Sequence, residues 1–203
     1  DYTVQPMGRG SFGSNMLIAS TWRHGQEMKR IGKGNADRRW DVLPQQPALA
    51  YDIAQNRLIV TAAVLQAPVF DVSAGDAALF GSYGALVGHE LTRGFDNSGR
   101  RVDARGEVRD WWTPADITAW NALGERLAQQ FSGYAYPGVA NAKVNGKLTQ
   151  EANLADLSGV ELAWDAYSNE QAAPTADARK TLFRSWSQLW AQHVSEAEAT
   201  QRL

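Results

Sequence analysis

A histidine and a glutamate side by side in an apolar run, Gly84-Ala-Leu-Val-Gly-His89-Glu90-Leu91-Thr92-Arg93, are the residues here best suited to chemistry. In the H-E-x-x-H pattern two histidines four residues apart share one helical face and hold zinc. The glutamate between them activates the bound water. This chain supplies His89 and Glu90, but arginine stands where the second histidine would be. A guanidinium keeps its proton at any physiological pH and has no lone pair for a metal. The remaining histidines, His24 and His193, read as surface or helix-terminal side chains.

The elements that must position this pair follow from composition and pattern. With 203 residues, 44% of them hydrophobic, and eight tryptophans, the chain has material for one globular domain with a buried core. Twenty basic residues against 22 acidic ones leave a net charge of −2. No basic block marks a nucleic-acid surface or a polybasic membrane contact. No run of about 18 apolar residues predicts a membrane span. The absence of cysteine excludes disulfides and thiolate metal sites without fixing a compartment. Asp1-Tyr2-Thr3-Val4-Gln5-Pro6 has neither an initiator methionine nor the layout of a signal peptide, so a processed chain or excised fragment is expected.

Helical spacing of Met16, Leu17, Ala19, Trp22, Met28 and Ile31 predicts one amphipathic helix over Ser11–Lys33. Ser11 or Ser14 would cap it, and Gly32 and Gly34 would stop it. Arg38–Pro47 reads as a connector, and Ala48–Tyr51 and Arg57–Thr61 read as two short strands turning at Asp52–Asn56. Leu65–Asp76 is irregular. Ala77–Phe95 is expected to be a buried helix that needs glycines for close packing. Turns follow at Asp96–Gly99 and Asp103–Gly106. Then come helices at about Thr113–Gly133, Gln150–Glu170 and Asp177–Ser195, and a short one to Leu203. The predicted fold is mainly α with a small β-sheet.

The order of motifs carries a family resemblance. After the His89-Glu90 helix the chain reads Gly94-Phe95-Asp96-Asn97-Ser98-Gly99, then Asp110-Trp111-Trp112-Thr113, then Asn153-Leu154-Ala155-Asp156-Leu157-Ser158-Gly159. Upstream lie Gln55-Asn56-Arg57-Leu58-Ile59-Val60 and Leu65-Gln66-Ala67-Pro68-Val69-Phe70. This succession resembles the C-terminal catalytic region of the neprilysin family of zinc metallopeptidases and covers nearly the whole chain. The resemblance implies a thermolysin/neprilysin-like zincin lobe over residues 1–203, without the covering helical lobe or the last segment. It also implies a periplasmic or extracellular location.

Carried over by resemblance, His89 matches the first zinc ligand, Glu90 the general base, and Asp156 the carboxylate that orients a ligating histidine. Arg93 and Ala152 stand at the other two ligand positions. Glu151 lies one residue, about 100° of helix, from the ligand face. Ala48-Leu49-Ala50 replaces the substrate-gripping strand. Arg93 is expected to pair with Glu90 or Asp156 and occupy the metal's volume. Trp111, Trp112, Trp164, Trp186 and Trp190 are expected to pack. The functional expectation is a pseudopeptidase without zinc or other cofactor, retained as a binding or assembly module. Its partner would be a peptide or protein ligand, a chain supplying the missing lobe, or a second copy. The alternative is an active zinc metalloendopeptidase in which Glu151 is recruited as a ligand.

Overall fold

The structure is a computed structural model that describes residues 5–33, 42–171 and 173–201. It divides into two units, Asp1–Arg39 and Trp40–Leu203. The first holds helix α1, Phe12–Met28. Its N-cap is Ser11, whose side chain accepts from the Ser14 amide, satisfying one of the orphan N–H groups of the first turn. The helix ends at Met28, ahead of Gly32, whose φ of +78° is the left-handed conformation a glycine takes without cost. Gly34 and residues 38–41 lie outside the described residues.

In the second unit, strands β1 (Leu49–Asp52) and β2 (Arg57–Val60) form an antiparallel hairpin with Ala50 opposite Ile59 and Asp52 opposite Arg57. Asp52 caps the intervening 3-10 turn Ile53–Gln55, and Asn56 closes it with a φ of +46°. Asn is among the few residues that tolerate that conformation.

The apolar run expected as a single helix over Ala77–Phe95 is divided. It comprises α2 (Asp76–Leu79), a π-helical turn (Phe80–Gly84), α3 (Ala85–Thr92) and a 3-10 turn (Arg93–Phe95). Ser82 sits in the π turn with its hydroxyl donating to the carbonyls of Ala78 and Leu79, and such back-bonding deforms the helical ladder. Farther along, α4 (Pro114–Ser132) opens on a capping box between Thr113 and Asp116 with proline as its first residue. Helices α5 (Gln150–Glu170), α6 (Ala176–Leu189) and α7 (Glu196–Gln201) follow. Helix α6 stops short of the expected Ser195. Its core contacts come from Ala178, Leu182 and Trp186, and a helix this short needs packing to persist.

The core gathers Ala85 of α3, Val160, Ala163 and Tyr167 of α5, and Leu182 of α6, with Phe80, Trp164 and Trp186 against them. Two glycines let α3 and α5 cross closely. A Cβ on Gly88 would lie 2.7 Å from the Gly159 carbonyl oxygen, and one on Gly159 would lie 2.5 Å from the His89 nitrogen. The fold is thus mainly helical with a two-stranded sheet, in agreement with the sequence pattern. No helix of the described residues is long and apolar enough to cross a membrane.

Candidate functional site

The Gly88–Gly159 contact brings the chemistry-bearing side chains of α3 and α5 together. His89 Nδ1 lies 2.6 Å from Asp156 Oδ1, with the imidazole 13% exposed and the carboxylate 38% exposed. When Asp156 is ionised, the proton of a neutral imidazole belongs on Nδ1, which leaves the Nε2 lone pair free. That Nε2 is 4.0 Å from Glu90 Oε1. The other Glu90 oxygen, Oε2, accepts the backbone N–H of Tyr51 at 3.1 Å. Among the described residues strand β1 is paired with β2 alone, so its free edge can turn this N–H toward α3. The main chain of β1 therefore holds the glutamate, a contact no side-chain motif announces. The Tyr51 ring continues beyond the strand, and its hydroxyl donates to Asn56 Oδ1. Burial, and then the negative charge of Asp52, push the phenol above its ordinary pKa, so it stays a neutral donor.

Arg93 corrects an expectation. Its Nη1 is 3.5 Å from Asp96 Oδ2, with the arginine side chain 34% exposed and the aspartate 7%. The expected pairing with Glu90 or Asp156 is not what the side chain makes. The reason is local: α3 ends at Thr92 and the chain tightens into a 3-10 turn at Arg93–Phe95, and 3-10 geometry eclipses residues i and i+3. Asp96 is held by the Ser98 and Gly99 amides, both at 2.8 Å, and so stands under Arg93.

On α5, Ala152 is exposed one turn before Asp156. Glu151 turns its Oε1 to Asn97 Nδ2 at 2.7 Å, tying the start of α5 to the turn after α3. That bond was missed from sequence, and no local pattern announces a partner 54 residues away. The Arg93–Asp96 pair was within reach, because i+3 neighbours on a tight helical turn face each other. His24 and His193 are both exposed. Trp164 and Trp186 pack against the core. Trp111 donates its Nε1–H to the Gly99 carbonyl, whereas Trp190 is 53% exposed and meets Trp186 edge to face.

Zinc would need at least three donors converging on one point. Around His89 Nε2, the side chain one turn on is a guanidinium turned to Asp96, Ala152 offers a methyl group, and Glu151 is engaged by Asn97. Among the described residues no three His, Cys, Asp or Glu side chains form a group that could hold a metal ion.

Comparison with known proteins adds three findings. Residues 50–203 match the model of Peptidase family M13. The chain is 30% identical to Neprilysin-3 of Drosophila melanogaster over 195 residues, which is 91% of this chain and 24% of that protein. It is 34% identical to Endothelin-converting enzyme 1 of Mus musculus over 160 residues, or 74% of this chain and 20% of that one. Among solved structures, the zinc metalloprotease Zmp1 of Mycobacterium tuberculosis in complex with an inhibitor superposes with a TM-score of 0.77 at 30% identity, covering 100% of this chain and 32% of its own. PepO of Lactobacillus rhamnosis gives a TM-score of 0.70 at 28% identity, with 92% and 30% covered. The chain spans about a quarter of the length of the curated relatives.

Proposed function

Because the chain belongs to peptidase family M13, the neprilysin family, we propose that it is a pseudopeptidase, a metallopeptidase fold that has lost zinc binding and hydrolysis and serves as a binding or assembly module. The observation that carries this is the donor set. His89 keeps a lone pair at Nε2, but the side chains that would complete a tetrahedral site are Arg93, committed to Asp96, and Ala152, which has no donor atom. Two ligands short, the imidazole cannot hold zinc tightly. A guanidinium one turn away, itself paired with Asp96, supplies no lone pair to a divalent cation.

Without a metal, Glu90 has no acidified water to deprotonate, and its tie to the Tyr51 amide makes it a bracket between α3 and β1. What remains is a helical face with an ordered imidazole–carboxylate pair beside a free strand edge, which suits the holding of peptide or protein. The expected partner is a peptide or protein ligand, a separate chain that covers this face, or a second copy. The expected location is periplasmic or extracellular. The reading in which Glu151 completes a working zinc site is disfavoured by its bond to Asn97.

Elemental analysis of the purified protein, dialysed against micromolar zinc, tests the proposal. The expected result is far less than one zinc per chain, and one tightly bound equivalent would overturn it. Light scattering tests the partner expectation, because a module with an uncovered face should show a mass above the 22.3 kDa of one chain or co-purify with another chain.

A further inference from the structure

Beyond the end of α3, and apart from the residues that would bear a metal, a cavity of about 380 Å³ opens between the β1–β2 hairpin and the segment after α3. Its apolar lining includes Tyr51, Leu91, Phe95 and Trp111. Phe95 is 59% exposed and Trp111 37% exposed, the two rings meeting edge to face at 5.8 Å. Large aromatics left open around a concave surface mark a binding site more often than a bare surface.

The polar side of the cavity carries Asn56 and the Asp103–Arg109 pair. Asp103, 8% exposed, accepts the amides of Arg105 and Glu107 at Oδ1 and the Nε–H of Arg109 at Oδ2, the last at 2.8 Å. Arg109 is thus held through Nε by a carboxylate already engaged with two backbone donors. Arg109 lines the cavity with its side chain 66% exposed, and a guanidinium held through Nε keeps a planar Nη fork that matches a second carboxylate. A second depression of about 400 Å³ shares Phe95 and Trp111 with the first and runs on over Trp112 and Trp120. An extended chain could follow it.

We propose that this cavity binds the C-terminal residue of a peptide. An aromatic or large aliphatic side chain lies against Tyr51, Phe95 and Trp111, the α-carboxylate sits on the Nη fork of Arg109, and the preceding residues run along the neighbouring aromatic depression. The site uses none of the residues on which the loss of zinc depends, so either reading can fail without the other.

Calorimetric titration of the whole chain with N-acetyl-Ala-Ala-Phe as free acid, with its C-terminal amide, and with N-acetyl-Phe provides the test. The acid should bind saturably and at least about tenfold more tightly than the amide, and N-acetyl-Phe should bind more weakly than the tripeptide. Arg109→Gln should erase the difference between acid and amide. Ala104→Trp, which fills the cavity from an exposed lining position, should abolish binding of both with unchanged circular dichroism. Equal binding of acid and amide, an acid preference that survives Arg109→Gln, N-acetyl-Phe binding as well as the tripeptide, binding that survives Ala104→Trp, or no saturable binding at millimolar peptide would each overturn the proposal.

Discussion

Arg93 is the residue on which the proposed function turns, and its geometry changes what its removal should do. Were it paired with Glu90 or Asp156, its truncation would leave a carboxylate beside His89 without its cation. Paired at 3.5 Å with Asp96, a buried carboxylate that accepts two amides, Arg93 is itself partly exposed, and its removal leaves Asp96 with both of those bonds. Arg93→Ala should therefore cost less than about 1 kcal/mol in denaturant unfolding, and a loss above about 2 kcal/mol would show that a buried charge had been stranded. Rebuilding the ligand set asks more. Arg93→His with Ala152→Glu should give measurable zinc uptake by equilibrium dialysis, while each single change does little, because two donors hold the ion weakly and a retained guanidinium supplies no lone pair. A double variant with no more zinc than the parent would mean that α3 and α5 do not bring these three positions to one point. At this scale the sequence made His89, Glu90, Asp156, Arg93 and Ala152 legible as residues, and the family resemblance implied the His89–Asp156 pair, but not the bonds of Glu90 and Arg93.

Among the elements, α4 and the Asp103 turn carry the clearest local signals. The Thr113 hydroxyl caps the Asp116 amide, and the Asp116 carboxylate returns a bond to the Thr113 amide. Thr113→Ala should cost about 1 kcal/mol, read from thermal or urea unfolding. In the Asp103 turn the amides of Arg105 and Glu107, with Arg109 after them, hold the carboxyl below its ordinary pKa. A depressed carboxylate contributes stability that is fully present above its unfolded value, near 3.9, and is lost as pH falls through the folded value. Asp103→Asn should therefore lower stability at neutral pH and flatten the acid limb of the stability curve. A variant whose acid limb matches the parent would show that Asp103 adds nothing there. Both signals were readable in sequence as Thr-Pro-Ala-Asp before an apolar-periodic stretch and as Asp-Ala-Arg-Gly. The division of the run around Ser82 was not, because a π turn keeps the apolar composition of a helix and changes only which carbonyl each amide finds.

Across the whole unit from Trp40 to Leu203, the contact that creates the site is the crossing of α3 and α5 at Gly88 and Gly159. Gly159→Ala would drive a methyl group to within 2.5 Å of the His89 nitrogen and 2.6 Å of the Ala85 oxygen. The helices must then separate, at roughly 1 to 3 kcal/mol, and the 2.6 Å bond between His89 and Asp156 should lengthen or break. Unfolding measures the first effect. The imidazole Nδ1–H resonance in NMR measures the second, and an unshifted resonance in a destabilised variant would separate packing from the site. The sequence by itself determined the family, the helical class, the hairpin and the identity of the residues at the positions aligned with the family's ligands, because these rest on residue type, local periodicity and motif order. Tertiary structure alone decided that the Tyr51 amide holds Glu90, that Asn97 takes Glu151, and that Phe95 and Trp111 stand open beside Arg109. The physical reason is that such bonds join segments tens of residues apart. Their partners depend on how closely two helices cross and which edge of a strand is left unpaired, and neither is written in any local run of residues.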